Sequence, residues 1–149
     1  MPADAATAAY VDTSALVRAY VVEPGSVETR RVLQRHAVVS SALMPLELAG
    51  ALRRLRRQRQ ISSRHFELIE ARVRDSREYW TLLAVDGRVL ERAETELTRG
   101  APLRALDAVH IATALTFQAD AGVRMPFITG DQQQRRAGLA LGLDVILVA

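Results

Sequence analysis

Short apolar runs of four to six residues recur along this chain: Ala8–Val11, Ala37–Ser40, Trp80–Val85, Pro126–Thr129 and Val145–Val148. Between them lie longer segments with helical periodicity. Runs this short read as strands buried on both faces, and parallel neighbours need a helical crossover to join them. The alternation therefore predicts an α/β fold, with a mainly parallel central sheet and helices on both faces. With 149 residues the chain reads as a single domain. Residues 1–7 read as a loose N-terminal arm.

The helical segments carry their own punctuation. Thr13 or Ser14 is placed to cap a helix over Ala15–Val22. Glu23-Pro24-Gly25-Ser26 is a break, with Ser26 opening a second helix over Val27–His36. Pro45 sits in the first turn of a third helix, where proline is tolerated, and Leu48, Leu52 and Leu55 give it an apolar stripe. A fourth follows Ser62-Ser63, with Phe66, Ile69 and Val73 inward. Asp86 caps a fifth, which Gly100-Ala101-Pro102 ends. The last two run from Asp107 to Gly122 and from Asp131 to Leu141.

Composition removes several chemistries. All 20 Lys+Arg residues are arginine, and the cysteine count is zero. That excludes disulfides, thiolate metal sites and thiol nucleophiles. It also excludes the phosphate-loop lysine and Schiff-base catalysis. Asp4 stands where a secretory leader would carry basic residues, and Arg18 interrupts the best apolar stretch, so a cytoplasmic protein without a membrane span is expected. The net charge of +3 permits a polyanionic partner without requiring one.

Parallel sheets build their sites beyond the carboxyl ends of strands. Four acids fall at such places. Asp12 follows the first strand, and Asp131 follows the Phe127–Thr129 run by one glycine. Glu47 lies in the first turn of the third helix, and Asp107 opens the sixth. Each alone has the ordinary reading of an acid at a helix N-terminus. Asp107 and Glu47, however, sit among apolar neighbours, where an unpaired carboxylate is costly. Converging carboxylates repel one another unless a cation joins them, and Mg²⁺ or Mn²⁺ prefers such oxygen ligands. Metal-activated hydrolysis of a phosphodiester follows as a candidate chemistry.

The motifs resemble those of a known family. Tyr10-Val-Asp-Thr-Ser14 is similar to the opening strand and turn of PIN-domain nucleases. Ser41–Leu52 around Glu47 resembles their second acidic segment, Leu103–Leu115 around Asp107 the third, and Thr129-Gly-Asp131 the fourth. Within that superfamily the chain resembles VapC toxins of type II VapBC toxin–antitoxin pairs. The resemblance implies a three-layer α/β/α PIN domain acting as an Mg²⁺-dependent endoribonuclease, with Mn²⁺ able to substitute. Asp12, Glu47, Asp107 and Asp131 would be its metal-binding, catalytic quartet, and the Ser14 and Thr129 hydroxyls would orient the acids. It also implies an RNA substrate, a cognate VapB-like antitoxin that blocks the acidic pocket with a basic side chain, and a homodimer.

Other signals are read beside it. Arg53–Arg59 holds five arginines in seven residues. That segment reads either as the solvated face of the third helix or as a track for RNA phosphates. His110, one turn after Asp107, reads as a hydrogen-bonding residue rather than a metal ligand. His36 and His65 read as surface residues, and Trp80 as core. Two rival readings stay open: a non-catalytic RNA-binding or assembly domain, and a DNA-directed nuclease.

Overall fold

The computed structural model of the chain describes residues 6–149. The order is β1 (Thr7–Val11), α1 (Thr13–Tyr20), α2 (Ser26–Leu33), β2 (His36–Ser41), α3 (Met44–Arg57), α4 (Ser63–Arg77) and β3 (Thr81–Leu83), followed by α5 (Gly87–Thr98), α6 (Ala105–Ala121), β4 (Phe127–Thr129), α7 (Gln132–Ala140) and β5 (Val145–Leu147).

All strand pairs are parallel, and the sheet order is β3-β2-β1-β4-β5. The chain winds outward from β1 through β2 to β3. It then returns to the other side of β1 to add β4 and β5. Parallel crossovers are right-handed, so reversing direction puts the later helices on the opposite face. Alternation along β1 serves both faces. Ala9 and Val11 pack with Leu16, Met44, Leu48 and Phe66 from α1, α3 and α4. Tyr10 packs with Ile111, Phe127 and Ala137 on the side of α6 and α7. Val89 and Ala93 of α5 pack on Ala108, Val109 and Ala112 of α6. The result is the expected three-layer α/β/α arrangement.

The reversal point lies between β1 and β4, where adjacent helices diverge and a crevice opens at the carboxyl ends. The register there pairs Tyr10 with Phe127 and Val11 with Ile128.

Several local expectations change. The arm expected over residues 1–7 does not include Thr7, which pairs with His36 in the β1–β2 ladder; residues 1–5 lie outside the described part. His36 is therefore a half-buried strand residue rather than a surface one, and α2 stops at Leu33. Asp12, not Thr13 or Ser14, caps α1, because the strand ends one residue before the helix begins. Gly25, not Ser26, precedes α2 with φ 85°. A Cβ there would sit 1.8 Å from the Ala149 carbonyl oxygen, so glycine is required. Trp80 is half-buried just before the short β3. Among the described residues, no helix is long and apolar enough to cross a membrane.

Candidate active site

The site grows from the end of β1. The Asp12 amide donates to the Ile128 carbonyl at 2.9 Å, which carries the β1–β4 pairing one residue past the strand. Ser40 Oγ donates to the Val11 carbonyl at 2.6 Å from the other side. Asp12 is thus held between two neighbouring strands and is only 4% exposed. A carboxylate so buried needs donors. Its Oδ2 accepts from the Ser14 amide at 2.9 Å and from Ser14 Oγ at 2.5 Å. Ser14 Oγ in turn accepts from the Gly130 amide at 2.9 Å, tying the loop after β4 to α1.

The other three acids lie around this point. Asp131 caps α7, accepting from the Gln134 amide at 2.9 Å; the ordinary helix-capping reading of this residue is realised. Asp107 is in the first turn of α6. Its Oδ2 accepts from Arg104 Nε at 3.0 Å, and the arginine side chain is 80% exposed where the aspartate is 13%. Glu47, in the first turn of α3, faces His110 and Thr13. His110 Nε2 donates to Glu47 Oε1 at 2.7 Å, and Thr13 Oγ1 donates to the same oxygen at 3.2 Å.

Two residues join the acids: Gln134, which no sequence signal singled out, and His110, read from sequence as a hydrogen-bonding residue. Gln134 Nε2 donates to Asp12 Oδ1 at 3.0 Å and to Asp107 Oδ1 at 3.3 Å. Thr129 Oγ1 donates to Gln134 Oε1 at 2.6 Å and accepts from the Asp131 amide at 3.0 Å. Ser14 thus bonds an acid side chain directly, whereas Thr129 reaches the acids through Gln134 and the Asp131 backbone. His110 is the second joint: Nε2 also stands 3.6 Å from Asp12 Oδ1, while Nδ1 is 2.8 Å from the Tyr10 hydroxyl. Because Nε2 faces carboxylates, it carries a proton. Burial alone would push the His110 pKa down, but the Glu47 hydrogen bond and the charges of Asp12, Glu47 and Asp107 outweigh it and leave it raised. Burial, reinforced by the Asp12 charge, holds the Tyr10 hydroxyl well above its ordinary value.

The donor set is all carboxylate oxygen, which suits a hard divalent cation. Oδ1 of Asp12 and Oδ1 of Asp107 converge on one amide nitrogen. Among the described residues, nothing donates to Oε2 of Glu47 or Oδ2 of Asp131. As they stand, no three acidic or histidine side chains among the described residues are close enough together to share one ion. Asp12 and Asp107 share the Gln134 amide, and Arg104 engages Asp107 from the exposed rim. The chemistry of the residues fits a cation; holding one requires the acids to draw inward.

Away from the crevice, the arginines from Arg53 to Arg77 are all exposed on α3, on α4 and between them. Arg53 and Arg56 stand over the Phe66 ring at 5.8 and 5.0 Å. A groove of about 810 Å³ lies between α1, α2, α4 and β2, lined by Leu16, Tyr20, Leu33, Val38 and Trp80, with Arg30 and Arg72 also lining it.

Comparison with known proteins places this geometry. The PIN domain family matches residues 9–139. Ribonuclease VapC46 of Mycobacterium tuberculosis is 37% identical over 140 residues, spanning 93% of this chain and 96% of its own. The M. tuberculosis toxin VapC20, described as cleaving the sarcin–ricin loop, superposes with a TM-score of 0.64 at 19% identity over 88% of this chain and 95% of its own. A Klebsiella pneumoniae toxin–antitoxin complex gives 0.60 at 17% identity, over 93% and 96%. With its acids at the sheet's reversal point and a match spanning nearly its whole length, the chain belongs to the PIN-domain family, in its VapC branch.

Proposed function

We propose that this protein is a divalent-cation-dependent endoribonuclease and the toxin of a VapBC-type pair. One observation carries the reading: the buried Asp12 and Asp107 meet on a single neutral amide, with no cationic side chain among the described residues between them, in the crevice between β1 and β4. Asp12 and Asp107 would hold the cation, with Glu47 and Asp131 reaching it through their second oxygens; Mg²⁺ suits these donors, and Mn²⁺ substitutes. When bound, such a cation supplies a polarised water and neutralises charge on the scissile phosphodiester. The protein's part is to orient the acids. Ser14 fixes Asp12, His110 and Thr13 fix Glu47, and the exposed Arg104 brings positive charge to the rim. The exposed arginines of α3 and α4 supply sequence-independent affinity for an RNA backbone.

The test is cleavage of single-stranded RNA and DNA side by side with Mg²⁺ or Mn²⁺. RNA cleavage that EDTA stops, and that Asp12→Asn and Asp107→Asn each abolish, is the expected result. Undiminished cleavage in both variants overturns the site. Cleavage of DNA alone overturns the substrate.

The partner reading rests on the groove. It is apolar in its floor, sets Arg30 and Arg72 against the acid Asp75, and runs along α1, whose first turn is capped by Asp12. An amphipathic antitoxin segment with acidic flanks fits it, leaving a basic side chain to reach the acids. Expression alone should slow growth, and co-expression of the cognate small protein should restore it. Leu33→Asp in the groove should weaken that rescue. A homodimer in the cytoplasm completes the reading, and mass in solution tests the dimer.

A further inference from the structure

Gln134 occupies the third position of α7 and is fully buried. Burying an amide is costly unless its polar atoms are paired. Here each is: Oε1 to Thr129, Nε2 to Asp12 and Asp107, and the backbone N–H to Asp131. The amide has one orientation that works, because its nitrogen faces carboxylates and its oxygen faces a hydroxyl donor. Gln132 and Gln133, adjacent and chemically identical, are exposed. The cap by Asp131 sets the helical register that turns only Gln134 inward.

We propose that Gln134 is a positioning residue that sets the separation and orientation of Asp12 and Asp107 for the cation. The proposal rests on the cation-dependent reading above. The choice of an amide has a physical reason. A buried arginine or lysine would neutralise the two acids and compete with a divalent cation. An apolar side chain would leave the Oδ1 atoms of both acids without this donor and their side chains free to turn. A glutamate would add another acceptor among acceptors. The amide gives each acid a hydrogen bond without adding charge. Each carboxylate oxygen keeps a second lone-pair direction, so the amide can stay in place while a cation is held. Thr129 braces it from behind.

The experiment is a manganese titration of the whole protein by calorimetry, comparing wild type, Gln134→Met, Gln134→Glu and the exposed control Gln133→Met. Gln134→Met is expected to weaken manganese binding about 10- to 100-fold, the usual effect of removing a residue that orients metal ligands. It should also lower kcat for RNA with KM unchanged, and the control should match wild type. Gln134→Glu keeps the shape and loses the donor. Its melting midpoint should fall below wild type in EDTA, and excess manganese should close the gap. Wild-type manganese affinity in Gln134→Met overturns the proposal alone, leaving the cation reading intact. If that variant does not fold, Gln134→Glu decides: an equal loss of midpoint with and without manganese makes Gln134 a packing group and overturns the proposal. No manganese binding by the wild type overturns the cation reading and this proposal with it.

Discussion

Asp12 stands between two arms that hold carboxylates by different chemistry. Toward α7, Gln134 reaches Asp12 and Asp107 with a neutral amide. Toward α3, His110 reaches Glu47 with an imidazole whose pKa is raised by the acids around it. The amide arm supports the acids without altering their charge and does not titrate. The imidazole arm takes its stability from the charge of the acids it touches, so its hold changes with their state. A site that must accept a cation benefits from the first kind of support at the ligands nearest it.

Breaking the imidazole arm is expected to have the largest effect on stability. His110→Leu removes a buried partner and strands Glu47 and the Tyr10 hydroxyl, so denaturant unfolding should show a loss of about 3–5 kcal/mol. A loss under about 1 kcal/mol, within the range of an exposed pair, would show that the imidazole does not hold Glu47. The amide arm should break more gently. Thr129→Val keeps the shape but leaves Gln134 Oε1 without its donor, at a cost of about 1–3 kcal/mol. Metal-free stability should then show no new pH dependence near neutrality, since no titrating group is lost.

Asp131 sharpens the contrast, because its cap and its second oxygen are separable. Asp131→Asn keeps the cap, whereas Asp131→Ala should cost about 1 kcal/mol by loss of it. A drop in cleavage in both variants assigns the second oxygen to the chemistry. A drop in Ala alone assigns the residue to the helix. The smallest effect is a slope. His110 binds its proton more tightly folded than unfolded, so its contribution is fully present below the ordinary value of 6.5 and fades as pH climbs through the raised folded value. In EDTA, stability should decline over that window, and His110→Gln should flatten the decline.

The acids were legible because they sit where chain geometry concentrates function, one step beyond buried strands and in first helical turns. Asp12, Glu47, Asp107 and Asp131 could be picked out by that rule, and the strand–helix alternation carried the layer order with them. Gln134 was not legible. Three successive glutamines differ only in which one the helical register turns inward, and that register is set by a cap on a loop fixed through tertiary contacts. His110 was read correctly as a hydrogen-bonding group, but its partners come from β1 and α3, far away in sequence. Thr7 was misread because strand pairing with β2 begins one residue before the apolar run does.

The order in which the polypeptide is synthesised gives the amide arm another meaning. Gln134 and the Asp12 it orients are separated by 122 positions. Domains form as the chain leaves the ribosome, and contacts between distant positions close late. β4, the Asp131 cap and Gln134 are all made after Asp12, Glu47 and Asp107, so a chain interrupted before them carries those acids without the strand and helix that organise them. The acid pair therefore takes its ordered form only once β4 and α7 have joined β1.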